Sequence, residues 1–141
     1  MEFILYHVQD IKKAIYEKKL DPCIPAGHGT QISDLTAAKA LTNIADVTVL
    51  VEYGGSINGK RDTKIIKRPE LWLKGIQYID EIYKGKPAES FIKRRYAENE
   101  SWQDTCNGMG ISRGVYFAYK ADVVRALELY AVGNGLLPWR K

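Results

Sequence analysis

The sequence predicts an all-α fold, with an N-terminal helical hairpin or bundle followed by a C-terminal pair of short helices joined by a tight turn. Three observations carry this. Apolar residues recur at three- and four-residue steps in most segments of the 141-residue chain. Pro and Gly punctuate the chain between those segments. Ser101 and Ser112 stand where helix caps are preferred, on either side of Gly110. The two parts divide at Gly59, giving an N-terminal helical region, 1–59, that ends in a glycine-rich linker, and a basic helical region, 60–141.

The first predicted helix is Phe3–Leu20, where Ile4, Val8, Ile11 and Ile15 fall at steps of four, three and four. They form one apolar stripe, and Lys18 and Lys19 near the helix end suit its dipole. Asp21-Pro22 ends the helix, and Pro22–Gln31, with Pro25, Gly27 and Gly29, reads as a loop. Ser33-Asp34 caps a second helix with Leu35, Ala38, Leu41, Ala45 and Val49 inward and Glu52-Tyr53 near its end. The run Val47-Thr48-Val49-Leu50-Val51 is rich in β-branched residues and also fits a buried strand. The unbroken helical spacing from Leu35 to Val49 favours helix.

Gly54–Gly59 is a linker by composition and leads into the basic run Lys60–Arg68. Gly54 and Gly59-Lys60 match most of a phosphate-binding P-loop. Arg61, however, stands where that motif needs Ser or Thr for magnesium, and Pro69 prevents a long helix from running directly on. Pro69 instead opens a third helix, with Leu71, Trp72, Ile76, Ile79 and Tyr83 on one face. Gly85-Lys86-Pro87 separates it from a basic helix, Ala88–Tyr96, that carries Lys93, Arg94 and Arg95.

Beyond it, Ser101 caps a helix whose inward positions are Trp102, Thr105, Cys106 and Met109, and Gly110 supplies a left-handed residue for the turn. Ile111 closes the corner. Ser112 caps a longer helix with Tyr116, Tyr119, Val123, Leu127 and Tyr130 on its apolar face, and Cys106 is the small residue where the two helices cross. Two helices so joined, with a basic helix in front, fit a helix-turn-helix, a module that reads duplex DNA. Gly133-Asn134-Gly135 ends the last helix, and the apolar tail Leu136–Trp139 is expected to fold back over the core.

Charge agrees with that placement. The net charge is +4, but residues 1–59 hold 5 basic and 7 acidic side chains against 16 basic and 10 acidic in 60–141. Positive charge in the half that holds the turn is the footprint of a chain that neutralises phosphates. The two cysteines, Cys23 and Cys106, lack metal-ligand or disulfide spacing, and His7 and His28 are isolated from any carboxylate cluster. No metal, cofactor or catalytic constellation is expected, and so no enzyme. With neither a signal-peptide pattern nor a bilayer-length apolar run, the expected location is cytoplasmic, with no membrane partner.

Arg94-Arg95-Tyr96, Ser101-Trp102 and Met109-Gly110-Ile111-Ser112-Arg113 together resemble region four of the sigma factors. They resemble more closely the late-gene transcription activators of Gram-positive phages, of the RinA and ArpU type. Ser33-Asp34-Leu35-Thr36 and Pro69-Glu70-Leu71-Trp72-Leu73 are similar to helix starts in that family. Thr105-Cys106, Gly114 and Phe117 depart from its pattern. The resemblance implies a phage or prophage transcription activator that binds double-stranded DNA and engages RNA polymerase.

In that reading the helix after Ser112 enters the major groove by its N-terminal end. Arg113 is the expected base reader, since a guanidinium takes two guanine acceptors at once. Ser112 contacts phosphate, Gly114 allows close backbone approach, and Phe117 meets a thymine methyl. Lys93, Arg94, Arg95 and Lys120 are candidate phosphate contacts, with an ion pair to Glu98 or Glu100 the alternative for Arg94 and Arg95. The N-terminal stripes form either a bundle or a homodimer seam. The rival to a transcription regulator is a small-terminase-like, DNA-packaging oligomer.

Overall fold

Thr48–Tyr53 is a strand, β1, rather than the end of a helix. It pairs antiparallel with a second strand, β2 (Asp62–Lys67), placing Val49 opposite Ile66, Leu50 opposite Ile65 and Val51 opposite Lys64. Burial decides the matter, because Val49 and Val51 are buried while Leu50 and Glu52 are exposed, a period of two that only a strand produces. The β-branched composition overrides the helical spacing that ran in from Leu35. Among the described residues of the basic run that follows, 62–68, only Ile66 is buried. The described residues are mostly helical, so the all-α expectation holds broadly, with a small two-stranded sheet in place of the end of the second expected helix.

The computed structural model describes residues 1–20, 48–53 and 62–139. The loop and capped helix expected between Pro22 and Asp46, the glycine linker with its P-loop-like spacing, Cys23 and His28 lie outside the described residues. Past Arg61 the chain enters β2, a strand antiparallel to β1, where a P-loop leads into a helix.

Contacts divide the chain into two compact units, Gln9–Pro69 in one and Met1–Val8 with Glu70–Lys141 in the other. The helix expected over Phe3–Leu20 is accordingly two, α1 (Glu2–Tyr6) and α2 (Val8–Leu20), broken at His7. Its apolar stripe serves two cores: Ile4 and Leu5 are buried in one unit and Ile11 in the other. In the Gln9–Pro69 unit, Ile11 shares the buried set with Val49, Val51 and Ile66, and Lys18 Nζ donates to the Thr48 carbonyl at 2.7 Å.

The other unit is helical. Pro69 begins α3 (Pro69–Tyr83), as its locked φ and missing N–H allow at a first turn. Next come α4 (Pro87–Ile92), a single π-helical turn (Lys93–Ala97), α5 (Trp102–Met109) and α6 (Arg113–Gly133). The expected basic helix thus widens at its basic end, where the Glu98 N–H reaches back five residues to the Lys93 carbonyl. Phe91, Tyr96, Tyr116, Val123 and Leu127 form the centre of the core. Phe91 meets Tyr96 and Tyr116 edge-on, with centroids 5.9 and 5.2 Å away.

Helix α6 stops at a left-handed Gly135 (φ 67), with the Leu136 N–H bonded to the Ala131 carbonyl at 2.8 Å and the Gly135 N–H to the Val132 carbonyl at 3.1 Å. These two bonds make a Schellman closure. The tail departs from expectation: Leu136 and Leu137 are half-buried, but Trp139 is 81% exposed and covers nothing.

Helices α3 and α6 approach closely at Gly75, where an added Cβ meets the Tyr130 ring at 2.8 Å and the Leu127 side chain at 3.1 Å. Gly75→Ala overpacks this contact, and a loss of about 1–3 kcal/mol in urea unfolding is expected despite the better helix propensity of Ala.

Candidate functional site

The α5–α6 corner is fixed by its caps. Ser101 Oγ accepts the Asp104 N–H at 3.1 Å and donates to Asp104 Oδ2 at 2.6 Å, which satisfies the start of α5 and places a carboxylate at its positive end. Thr105 is fully buried, and its hydroxyl is satisfied by the Ser101 carbonyl at 2.9 Å. At the far end Gly110 is left-handed (φ 64), with the Ile111 N–H bonded to the Cys106 carbonyl at 3.0 Å and the Gly110 N–H to the Asn107 carbonyl at 3.3 Å. Ser112 then caps α6 by accepting the Val115 N–H at 3.4 Å. Turn and caps fall on the residues at which the sequence places them.

Trp102 does not. Expected inward, it is 39% exposed, and the Arg113 guanidinium lies 5.4 Å from its ring centroid. The same guanidinium lies 5.5 Å from the ring of Phe117, one turn along α6. Among the described residues no carboxylate pairs with Arg113. Ser112, Arg113, Gly114 and Phe117 are therefore contiguous and exposed, and the edge of the Arg113 fork retains its N–H donors.

The four remaining cations behave differently. Arg94 pairs with Glu100, Nη1 to Oε1, at 3.1 Å. Arg95 donates through Nη1 to the Glu100 carbonyl, and its guanidinium sits 5.0 Å from the Tyr6 ring centroid. Arg94 thus takes the ion pair that was its alternative, whereas Arg95 is held by a backbone carbonyl and a ring face and not by an ion pair. Lys120 pairs with Glu2 of α1 at 3.0 Å, and Lys93 stands 4.0 Å from Glu98 with both side chains largely in water. A pair that exposed contributes little, so Lys93 stays available to an outside anion.

Three residues missed by the sequence reading organise this corner. Asn99 adopts a left-handed φ of 55, which turns Glu100 back so that its N–H bonds to the Arg94 carbonyl at 3.0 Å. Glu2 was not expected near α6 at all. Gly108 abuts the Arg94 guanidinium, leaving no room there for a Cβ. A glycine inside a helix, two residues before the one that ends it, was the available signal.

Behind the corner the aromatic core encloses hydroxyls. Tyr6 and Tyr96 meet edge-on at 4.9 Å, and Tyr96 Oη is buried with no hydrogen-bond partner among the described residues. Burial raises Tyr96 well above the ordinary tyrosine range, with Glu2 and Tyr6 adding to the shift and Arg95 opposing it.

Comparison of the chain with protein-family profiles, curated proteins and solved structures gives no match. No helix among the described residues is long and apolar enough to cross a membrane.

The raised pKa of Tyr96 fixes the sign of one pH effect. Above about pH 10 the unfolded chain loses the Tyr96 proton while the folded one keeps it, so alkali favours unfolding. Urea unfolding at stepped pH should show stability falling above about pH 10 by up to ~1.4 kcal/mol per pH unit for this group. Tyr96→Phe should flatten that fall.

Proposed function

We propose that this chain is a sequence-specific DNA-binding transcriptional regulator, in which α5, the Gly110 turn and α6 act as a helix-turn-helix. The observation that carries the reading is the start of α6: a Ser-capped first turn that presents an arginine with no carboxylate partner beside an exposed glycine. A recognition helix makes its base contacts from that end. The positive balance of residues 60–141 supports the same partner, and the resemblance to phage late-gene activators extends the reading to activation and to RNA polymerase as a second partner.

The contacts divide by role. Arg113 takes the O6 and N7 acceptors of a guanine, which is direct readout. The Ser112 hydroxyl and Lys93 take phosphate oxygens and set register. Arg94 and Arg95, held by Glu100, shape the π-helical turn instead of reaching the backbone. Lys120 reaches phosphate only by exchanging Glu2 for it.

Gly114 serves no internal purpose: a Cβ there meets only Ser112 Oγ, at 3.8 Å. Its use is outward, letting the α6 backbone lie close to the groove. Gly114→Ala is therefore expected to raise fold stability by about 0.5–1 kcal/mol in urea unfolding while weakening binding to the preferred duplex.

The direct test begins with selection of bound duplexes from random DNA at fixed salt, followed by titration of variants. Arg113→Ala should lose about 1–3 kcal/mol on the selected site and relax specificity at one position, whereas Lys93→Ala should weaken all sequences alike and lower the salt slope by about 1. Undiminished binding by Arg113→Ala, or selection of no preferred sequence, would overturn the reading.

A further inference from the structure

Arg113 and Phe117 form one built surface. The Phe117 ring is held from two sides, edge-on against buried Tyr116 at 5.3 Å and beneath the Arg113 guanidinium at 5.5 Å, yet it remains 44% exposed. The guanidinium is held in turn by Trp102 as well as Phe117. Stacking uses the faces of a guanidinium and leaves its edge donors available. A donor fork and a hydrocarbon edge are thus fixed side by side, and neither has to give up a protein hydrogen bond or ion pair to meet a ligand. On the outer side of α6 nothing bulky intervenes, since the neighbouring exposed residues are Gly114, Ala118 and Ala121.

From this we infer that the start of α6 reads a two-base feature, a guanine next to a pyrimidine that carries a C5-methyl group. The inference rests on the DNA-binding reading above and deepens it. In the major groove guanine is the base that offers two acceptors to one fork, and the C5-methyl group is the apolar feature on a base edge. The two features lie close enough to meet neighbouring bases. Arg113 leans over Phe117, and the 5.5 Å between them falls between one and two steps of about 3.4 Å along a strand, so both contacts fall on one short stretch of the groove. Thymine and 5-methylcytosine present the same methyl group, so the surface accepts either.

The experiment uses the full chain and the duplex it selects. The guanine read by Arg113 is located as the one whose replacement by 7-deazaguanine, which deletes the N7 acceptor, weakens the parent protein but not Arg113→Ala. Each pyrimidine flanking it is then stripped of its methyl group by replacing thymine with deoxyuridine. Demethylation of one of them should weaken the parent protein about fourfold, the value of one buried methyl group, and should leave Phe117→Ala unaffected. Restoring the methyl group as 5-methylcytosine, in a site where cytosine has replaced that thymine, should recover part of the loss in the parent protein alone. Phe117 is exposed, so its substitution leaves the core intact, and a circular-dichroism melt checks this directly.

If deoxyuridine costs nothing, or costs the parent protein and Phe117→Ala equally, the methyl reading is wrong while sequence-specific binding stands. The methyl reading is equally wrong if no pyrimidine bearing a methyl group flanks the located guanine. If single strands bind more tightly than the duplex, the exposed rings are stacking platforms for bases, and the inference falls. If no duplex is preferred at all, the DNA-binding reading itself has failed.

Discussion

Burial of Phe91 is the constraint on which the helical unit depends. Its ring is fully enclosed and touches Tyr96 and Tyr116 edge-on and Tyr119 at 5.9 Å, so α4, the π-helical turn and α6 meet on one side chain. Edge-to-face pairs are directional, and this hub sets orientation as well as proximity. The widening of the chain at Lys93–Ala97 puts Tyr96 in the core while Arg94 and Arg95 point toward Glu100. Tyr6 then packs on Tyr96, which ties α1 to the same hub. The position of the α5–α6 corner follows from contacts that begin at Phe91.

Charge in this unit is compensated locally to a degree that composition conceals. Residues 60–141 carry a clear positive excess, but the cations nearest the corner are largely engaged: Arg94 by Glu100, Lys120 by Glu2, and Arg95 by a carbonyl and a tyrosine face. Among the described cations here, Lys93, in a loose and exposed pair, and Arg113, held by aromatic rings that take none of its charge, are the exceptions. Affinity for a polyanion then comes from a few well-placed groups more than from a broad positive field, and recognition depends on shape at the start of α6.

Legibility of the sequence followed the range of the interactions involved. The caps at Ser101 and Ser112, the Gly110 turn and the inward Thr105, Cys106 and Tyr116 were readable because each depends on residues a few positions away. The strand Thr48–Tyr53 was misread because its partner, Asp62–Lys67, lies beyond a glycine-rich segment and looks like a charged linker. Long-range choices were opaque for the same reason. Nothing local shows that Glu2 will meet Lys120, or that Ile4 and Ile11 will serve different cores. Trp102 was assigned inward by spacing alone, and the presence of Arg113 across the turn explains why it lies outward.

The continuity of α6 carries a mechanical implication. Its 21 residues make a rod about 31 Å long, capped at its start by Ser112 and closed at its end by the left-handed Gly135. Arg113 stands at one end, and Tyr130 is wedged against Gly75 near the other. An unbroken helix transmits a tilt with little loss, so a small rotation imposed at the exposed end arrives at the α3 seam as a lateral displacement. The Gly75 contact, with no slack for even one methyl group, resists that displacement.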